Sequence, residues 1–414
     1  MEESKRLFQL SPLDHALRLE LIAEVHGLSM AEAYFAKIED LSKKAACLPL
    51  LHCYVKDKNT VSAESFMEQI QNMGFLVTPD PFNEMMKLYM STDQYSKVPL
   101  VVQQMKYGNI PLNVLSYNIY MNACSEIFGI SFVQKVYKEM TNDWHVKIGW
   151  STYATLANIH TKHGSYAMAL SALKAAEDTL STKNRLGYFF LITLYANLQD
   201  KDGVLRVWQS SKKVMGRITC ANYMCIILCL LKVGYLEKAE SVLASYELQL
   251  NRRKYDVRVS NVLLGAYVRS GFIKKAEMLH LHTMKIGGDP NYKTWEILME
   301  GWVKSNEMDK VLDAMNKAFS MLKSCNWRPP LLITMAIFKY FEKHVRIEDA
   351  RKYVKVLRGL NNMNLLLYKS YLRSHIKAQT PITDVRRMME IDNISIDEEA
   401  LSLIHQASSI GNES

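Results

Sequence analysis

Apolar residues between positions 257 and 291 follow the spacing of two consecutive helices. The stripe of the first helix consists of Val262, Leu263, Ala266 and Tyr267, and Ser270-Gly271 then interrupts the pattern. The second helix starts at Ile273, and its stripe consists of Ala276, Leu279, Leu281 and Met284. The breaker cluster Gly287-Gly288-Asp289-Pro290 stops it. The stretch is predicted to be a helical hairpin of 35 residues (291 − 257 + 1), in which the apolar stripe of the first helix faces a partner.

A small or β-branched residue early in the second helix recurs along most of the chain. It is found at Ala63, Val98, Val133, Ala169, Val204, Ala239, Ala276, Val311 and Ala350. The successive gaps are 35, 35, 36, 35, 35, 37, 35 and 39 residues. Such a residue is expected where the second helix packs closely on the first. A two-helix unit of nearly constant length predicts an all-α solenoid of about eleven hairpins, each burying its apolar face against its neighbours.

No linker is long enough to divide the repeated units, so a single domain is predicted. Residues 1–11 are polar and are expected to be frayed, while the solenoid is expected to span residues 12–394. Residues 395–414 are expected to form a capping helix and a tail. The reason is an acidic helix, Asp397 to Ile404, which offers the polar face that the end of a solenoid needs.

The excess of basic residues is modest, since 51 Lys and Arg against 42 Asp and Glu give a net charge of +9. This charge suits a polyanionic partner without establishing one. The seven cysteines include no CxxC pair, which favours free thiols in a reducing compartment over a metal site. The longest apolar run is too short to span a bilayer. The amino terminus has neither a signal core nor the Arg-rich character of a transit peptide, so we expect either a cytosolic protein or a chain that lacks its targeting segment.

Three stretches share an Asn near the start of the first helix, and the longer two also share a Gly-bounded turn and a Lys-Ala-Glu sequence: SYNIYMNAC (116–124), NYMCIILCLLKVGYLEKAESVL (222–243) and VSNVLLGAYVRSGFIKKAEML (259–279). With these features the unit resembles the pentatricopeptide repeat. The tetratricopeptide repeat fits less well, because its Trp-x-x-Leu-Gly-x-x-Tyr opening is missing and the gaps here are mostly 35 residues. The chain is similar in particular to the P-class pentatricopeptide repeat proteins of plant organelles, of the mitochondrial type.

This resemblance implies a right-handed α-solenoid of about eleven helix-turn-helix repeats. It also implies a protein that binds single-stranded RNA and stabilises, processes or helps translate organellar transcripts without catalysis. The implied location is the mitochondrion, with the chloroplast or cytoplasm as alternatives. The alternative function is a structural or interaction scaffold, such as a mitochondrial ribosome-associated repeat protein, whose partners are ribosomal or other organellar RNA–protein complexes. No enzyme is expected, because the sequence shows no nucleophile, base or metal constellation. No cofactor, small-molecule substrate or membrane partner is implied.

In the family that the chain resembles, the fifth and last residues of a repeat together read one base. Two pairs of residues match this pattern, Asn83 with Asn113 and Asn261 with Asn291. By family analogy both pairs favour pyrimidines. The half matches are Asn118 with Gly149, Ala154 with Asn184, and Met224 with Asp256. Leu48, Phe189, Glu296 and Met335 depart from the pattern, so a long base code is not expected.

Each of these residues also has a plainer interpretation. An asparagine in the first helical turn often only satisfies backbone groups, and a basic residue such as Arg258 is as well explained by a solvated helix rim as by a phosphate contact. Trp295 and Trp302 fall at helix positions that usually pack between repeats. The residues predicted to bind RNA are Asn83, Asn113, Asn118, Asn184, Asp256, Arg258, Asn261 and Asn291.

Overall fold

A computed structural model describes residues 10–183, 185–249, 254–322 and 327–410. These residues form 23 α-helices and no β-strand. Contacts divide the chain into two units, Met1–Gly216 and Arg217–Ser414. The all-α fold is confirmed, whereas the assignment of residues 12–394 to a single domain stays a prediction.

The helices of the first unit are α1 (Pro12–His26), α2 (Leu28–Lys37), α3 (Asp40–Lys56), α4 (Thr60–Asn72), α5 (Asp80–Ser91), α6 (Lys97–Tyr107), α7 (Val114–Phe128), α8 (Ile130–Asn142), α9 (Trp150–Lys162), α10 (Tyr166–Asp178), α11 (Leu186–Asn197) and α12 (Lys201–Ser211). Those of the second unit are α13 (Cys220–Lys232), α14 (Leu236–Leu248), α15 (Val257–Arg269), α16 (Ile273–Lys285), α17 (Tyr292–Lys304), α18 (Met308–Ser320), α19 (Leu331–His344), α20 (Ile347–Gly359), α21 (Leu365–Lys377), α22 (Val385–Ile391) and α23 (Glu398–Ser409).

The helices of each unit form two layers. The odd-numbered helices from α1 to α21, called A helices below, pack side by side, so that α15 lies between α13 and α17. The even-numbered B helices form the second layer, in which α16 contacts both its own A helix, α15, and the next one, α17. The eleven A–B pairs in the described residues confirm the predicted hairpins and their number. The last helix, α23, packs against α21.

The periodic small residues of the B helices are buried in every hairpin of the series. Ala63, Ala276 and Val311 have no exposed surface, and the other six of the series are at most 2% exposed. A longer side chain at these positions would push the B helix away from its A helix. The turn between the helices of the hairpin at 257–291 is made by Gly271, whose φ of +78° is unfavourable for a residue with a Cβ.

Only part of the apolar pattern of the second helix of that hairpin is buried. Ala276 is buried, but Leu281 is 64% exposed and Met284 is 47% exposed. The inner face of α16 is completed by His280 and Thr283, which are both buried. Trp295 and Trp302 are buried on α17, as predicted.

Neighbouring repeats are joined by a recurring group of three side chains, which we call a staple. A glutamate on a B helix accepts a hydrogen bond from a tyrosine or tryptophan of the next A helix and pairs with a lysine or arginine of the next B helix. Glu277 on α16, for example, accepts from Trp302 Nε1 at 2.7 Å and from Lys310 Nζ at 2.6 Å. The cation also lies 5.8 Å from the centre of the Trp302 ring. Such contacts between a cation and an aromatic face add to the ion pair.

Three further staples have the same composition. In the first unit they are Glu64–Tyr89–Lys97 and Glu177–Tyr195–Arg206, and in the second unit Glu240–Tyr267–Lys275. Each cation lies over the aromatic ring of its staple at 5.1 to 5.8 Å. Because one carboxylate binds both helices of the following hairpin, each staple fixes the orientation of that hairpin relative to the one before.

The staples predict a loss of stability in acid. The hydrogen bond from Lys310 and that from Trp302 hold the pKa of Glu277 below its ordinary value, and Lys97 and Tyr89 do the same for Glu64. A carboxyl group with a depressed pKa in the folded state contributes stability above its unfolded pKa of about 4.3, and this contribution is lost as the pH falls through the folded pKa. The urea midpoint is therefore expected to drop below about pH 4.3. In Glu277→Gln the drop should be smaller, and an equal drop in both proteins would contradict the role of this staple.

Candidate nucleic-acid interface

The predicted pair Asn83 and Asn113 is in direct contact in the first unit. Asn83 lies in the first turn of α5, and Asn113 is the N-cap of α7. Asn83 Nδ2 donates to Asn113 Oδ1 at 3.3 Å, while Asn83 Oδ1 accepts from the hydroxyl of Ser116 at 2.8 Å. Asn113 Oδ1 also accepts from the backbone N–H of Ser116 at 2.9 Å. The three side chains form one hydrogen-bonded group, called the asparagine network below.

The second unit contains the same network, built from Asn261, Asn291 and Thr294. Asn261 Nδ2 donates to Asn291 Oδ1 at 3.2 Å, and the Thr294 hydroxyl donates to Asn261 Oδ1 at 3.0 Å. Asn291 is the N-cap of α17, and its Oδ1 accepts from Thr294 N at 3.0 Å. The predicted pairing is thus confirmed as a contact in both cases. The plainer interpretation also holds, because Asn113 and Asn291 do satisfy backbone groups.

The networks leave hydrogen-bond donors facing outward. All four carbonyl oxygens are used within the networks, whereas the Nδ2 groups of Asn113 and Asn291 donate to no described residue. Both of these asparagines are half-buried, while Asn83 is only 1% exposed and Asn261 7%. A ligand that approaches this end of the A helices therefore meets N–H groups, which select hydrogen-bond acceptors.

At Asn118 the network is incomplete. Asn118 occupies the position of Asn83 and Asn261 on α7, but the N-cap of α9 is Gly149, which has no side chain to offer. Asn118 is 8% exposed, and neither its Oδ1 nor the hydroxyl of Thr152 has a hydrogen-bond partner in the described residues. A Cβ at Gly149 would meet nothing within 4 Å. The repeat therefore has the polar groups and the space for the network but lacks its central carboxamide.

The remaining predicted residues differ from one another. Asp256 is the N-cap of α15, and its carboxylate pairs with Arg258 at 2.7 Å, which lowers the pKa of Asp256. Asp256 and Arg258 thus bind each other, and the Arg258 guanidinium is already neutralised. Asn184 lies outside the described residues.

Two further repeats have the equivalent position closed by other parts of the chain. On α17 it holds Glu296, which accepts from the buried Trp327 Nε1 at 2.8 Å and from Lys293. On α21 it holds Lys369, whose Nζ donates to Asp397 at 2.6 Å and to Glu399 at 2.5 Å. Trp327 follows α18, and the two acids belong to the start of α23, so distant sequence segments occupy these positions.

The sequence analysis missed a row of basic residues at the carboxyl ends of the A helices. In the second unit it consists of Lys232, Arg269, Lys304, Lys343 and Lys377. Each follows the base-reading position of its own helix by eight residues, about 12 Å along the axis. Arg269, Lys304 and Lys343 are exposed, and no ion pair or hydrogen bond joins their side chains to another described residue. The constant offset of eight residues can be recognised in the sequence once the base-reading position of each A helix has been assigned.

Cations at the carboxyl end of a helix also complement its dipole. That explanation accounts for a cation at each helix end, but it does not require the cation to recur at the same position in successive helices.

Among the described residues no three His, Cys, Asp or Glu side chains cluster as metal ligands. The described helices include none with the length and apolar character needed to cross a membrane.

Comparison with known proteins identifies the relatives of this chain. A family profile described as PPR repeat matches residues 259–285. A pentatricopeptide repeat-containing protein of Arabidopsis thaliana is 52% identical over 397 residues, which are 95% of this chain and 80% of the relative. The Arabidopsis large ribosomal subunit protein mL101 (rPPR4) is 31% identical over 399 residues, or 95% of this chain and 81% of the relative. Other Arabidopsis relatives are named as mitochondrial pentatricopeptide repeat-containing proteins.

A solved structure supports the fold. The crystal structure of the pentatricopeptide repeat protein PPR10 in complex with an 18-nt psaJ RNA element matches 96% of this chain with a TM-score of 0.57 and 15% sequence identity. The match spans 57% of the PPR10 chain, so this chain covers less than two thirds of that protein. Since a relative with 52% identity extends over 95% of its length, the chain belongs to the pentatricopeptide repeat family.

Proposed function

We propose that this chain binds single-stranded RNA along its A helices and has no catalytic activity. The asparagines at the amino ends of these helices would contact the bases, and the cations at the carboxyl ends would contact the phosphates. The observation that carries the proposal is the asparagine network, which occurs twice with the same pattern of hydrogen bonds and leaves N–H donors outward. Such donors suit the acceptor-rich Watson–Crick edges of unstacked pyrimidines. The unpaired cations Arg269, Lys304 and Lys343 supply charge for the phosphates of the same strand.

The family relationship supports both the ligand and the location. PPR10 was crystallised with an RNA element, and several relatives carry a mitochondrial designation. We therefore propose that the protein acts in the mitochondrion, where it stabilises, processes or helps translate transcripts. Import of a fluorescently tagged full-length protein tests the location, and a signal confined to the chloroplast or cytosol would refute it.

The experiment that tests RNA binding is selection from a random pool of single-stranded RNA, with Asn291→Ala beside the wild type. We expect an enriched motif in which one pyrimidine position relaxes in the variant, because Asn291 supplies the exposed donors of its network. Asn364→Ala is the matched control. Asn364 is also an N-cap and accepts from Leu367 N, so its loss carries a similar stability cost of about 1 kcal/mol. No asparagine lies at the base-reading position of the preceding A helix, which holds Met335. Sequence-blind binding that is equal in all three proteins would refute base reading.

A scaffold in the mitochondrial ribosome is the second candidate. It is favoured by the relationship to mL101, which is named as a ribosomal protein. It is also favoured by the positions of Glu296 and Lys369, whose side chains are already bonded to Trp327 and Asp397. Sedimentation of mitochondrial lysate separates the two functions. Stoichiometric migration with the large ribosomal subunit would support the scaffold, and migration in light fractions would support an independent RNA-binding protein.

A further inference from the structure

Ser116 and Thr294 stand at the third residue of α7 and α17, and neither belongs to the pair of residues expected to read a base. Both hydroxyls are nevertheless bonded to the first asparagine of that pair, at 2.8 Å to Asn83 Oδ1 and at 3.0 Å to Asn261 Oδ1. Both also accept from the backbone N–H of the N-cap asparagine at 3.2 Å. Each hydroxyl thus contacts both members of the pair.

The orientation of both carboxamides in the network follows from one backbone donor. A carboxamide can rotate by 180°, so neighbours with fixed roles must set its orientation. The N–H of Thr294 can only donate, so the atom of Asn291 that faces it is the oxygen. The atom of Asn261 that meets this oxygen must then be the nitrogen, which turns Asn261 Oδ1 towards the hydroxyl of Thr294. The hydroxyl accepts from Asn291 N and has two oxygens to which it can donate, and the shorter contact is the one to Asn261 Oδ1, at 3.0 Å against 3.2 Å to Asn291 Oδ1.

The repeat at Asn118 shows what happens when this chain of bonds is interrupted. Gly149 removes the carboxamide that would accept from Thr152 N and from Asn118. Thr152 still carries the hydroxyl, but neither it nor Asn118 Oδ1 has a partner in the described residues. The hydroxyl alone does not engage the asparagine, and no hydrogen bond with a described residue sets the orientation of the Asn118 carboxamide.

We propose that the hydroxyl at the third residue of an A helix is a positioning residue for base reading by the preceding repeat. Thr294 and Ser116 hold the carbonyl oxygens of Asn261 and Asn83 inward, so that these repeats present only N–H donors to a base. Cytosine offers two adjacent acceptors on its Watson–Crick edge and uracil two flanking its N–H, whereas adenine offers one beside a donor. The inference rests on the proposed function and adds a third residue, from the next repeat, to the selection of a pyrimidine.

The test uses Thr294→Val, which keeps the shape of the side chain and removes only the hydroxyl. The network at Asn261 is chosen because this asparagine is more exposed than Asn83. The selection with Asn291→Ala identifies the nucleotide position at which the variant loses its preference for a pyrimidine. Dissociation constants are then measured for two RNAs that differ only at this position, one with a pyrimidine and one with a purine. The ratio of the two constants is expected to fall about fivefold in Thr294→Val, the effect of one lost hydrogen bond. Thr294→Ser should restore it.

Thr152→Val is the matched control, because the Thr152 hydroxyl has no partner to lose in the described residues. The ratio at the nucleotide read by the Asn118 repeat should not change in this variant. If Thr294→Val weakens binding to both RNAs equally and leaves the ratio intact, the hydroxyl only stabilises the helix and the inference is wrong. If no nucleotide responds to Asn291→Ala, the proposed function itself fails, so the two failures are distinct.

Gly149→Asn provides the converse test. It supplies the missing carboxamide beside Asn118 and Thr152, in a space where a Cβ meets no neighbour. A pyrimidine preference of about fivefold should arise at the nucleotide read by this repeat. A variant that folds normally but gains no preference would contradict the need for a complete network.

Discussion

Replacing Arg269, Lys304 and Lys343 together with alanine is expected to weaken binding of single-stranded RNA about fiftyfold at 0.15 M salt. Each phosphate contact on a single strand contributes about −0.7 to the slope of log K against log salt. The loss of three contacts therefore makes the slope less steep by about 2. At a salt concentration of 0.15 M the remaining affinity is then about 0.15 to the power of 2 of the original, which is the expected loss. Fluorescence anisotropy of a labelled RNA at salt concentrations between 0.05 and about 0.5 M measures both quantities.

A second triple variant separates this effect from a general loss of charge. Lys238, Lys285 and Lys355 are exposed on B helices and form no ion pair within the described residues. Their replacement by alanine removes the same three charges from the other helix layer of the second unit. We expect it to change affinity by less than about threefold. Equal losses in the two variants would show that net charge, and not the row at the A-helix ends, attracts the RNA.

Gly203→Ala is expected to destabilise the protein by about 3 kcal/mol, the upper end of the cost of overpacking a core. A Cβ at Gly203 would lie 2.3 Å from Cδ1 of Tyr195. Tyr195 is completely buried and cannot retreat without breaking its staple with Glu177 and Arg206. Because the first turn of α12 carries Gly203, the strain would fall on the contact between α11 and α12. Urea unfolding followed by circular dichroism measures the change.

Gly149→Ala is the control for this variant, since a methyl group there meets no atom within 4 Å and the glycine has a negative φ. Its free energy of unfolding should remain within about 0.5 kcal/mol of the wild type. If Gly203→Ala were equally stable, the close approach of α12 to Tyr195 would not be a constraint on the fold.

The helical hairpins were predictable because their signal is repeated. A single small residue such as Ala276 says little, but nine of them in phase identify the contact between the two helices of each pair. Individual side chains on the B helices were less predictable. Leu281 and Met284 look like core residues by hydropathy, yet the space inside is taken by His280 and Thr283. A stripe of apolar residues gives the helix period but does not by itself specify which edge is buried.

The candidate interface could be predicted where it depends on positions within one repeat and its neighbour. Asn261 and Asn291 are brought together by the constant length of the unit, and so are Asn83 and Asn113. The hydrogen bonds from Trp327 to Glu296 and from Lys369 to Asp397 could not be predicted, because Trp327 lies in an insertion and Asp397 at the start of the last helix. The staples were open to prediction, since glutamate, aromatic residue and cation recur at offsets of 25 and 8 residues in two of the four.

The side-by-side packing of α15 and α17 sets a length scale that an RNA must match. Helices in contact lie about 8–10 Å apart, whereas stacked bases in one strand are separated by about 3.4 Å. A strand with one base at each A-helix end must therefore be drawn out to more than twice its stacked length, and it cannot remain paired. An RNA hairpin has to melt before it can enter. The folding of the transcript then competes directly with the protein, so that the accessibility of a site would govern its occupancy as much as its sequence does.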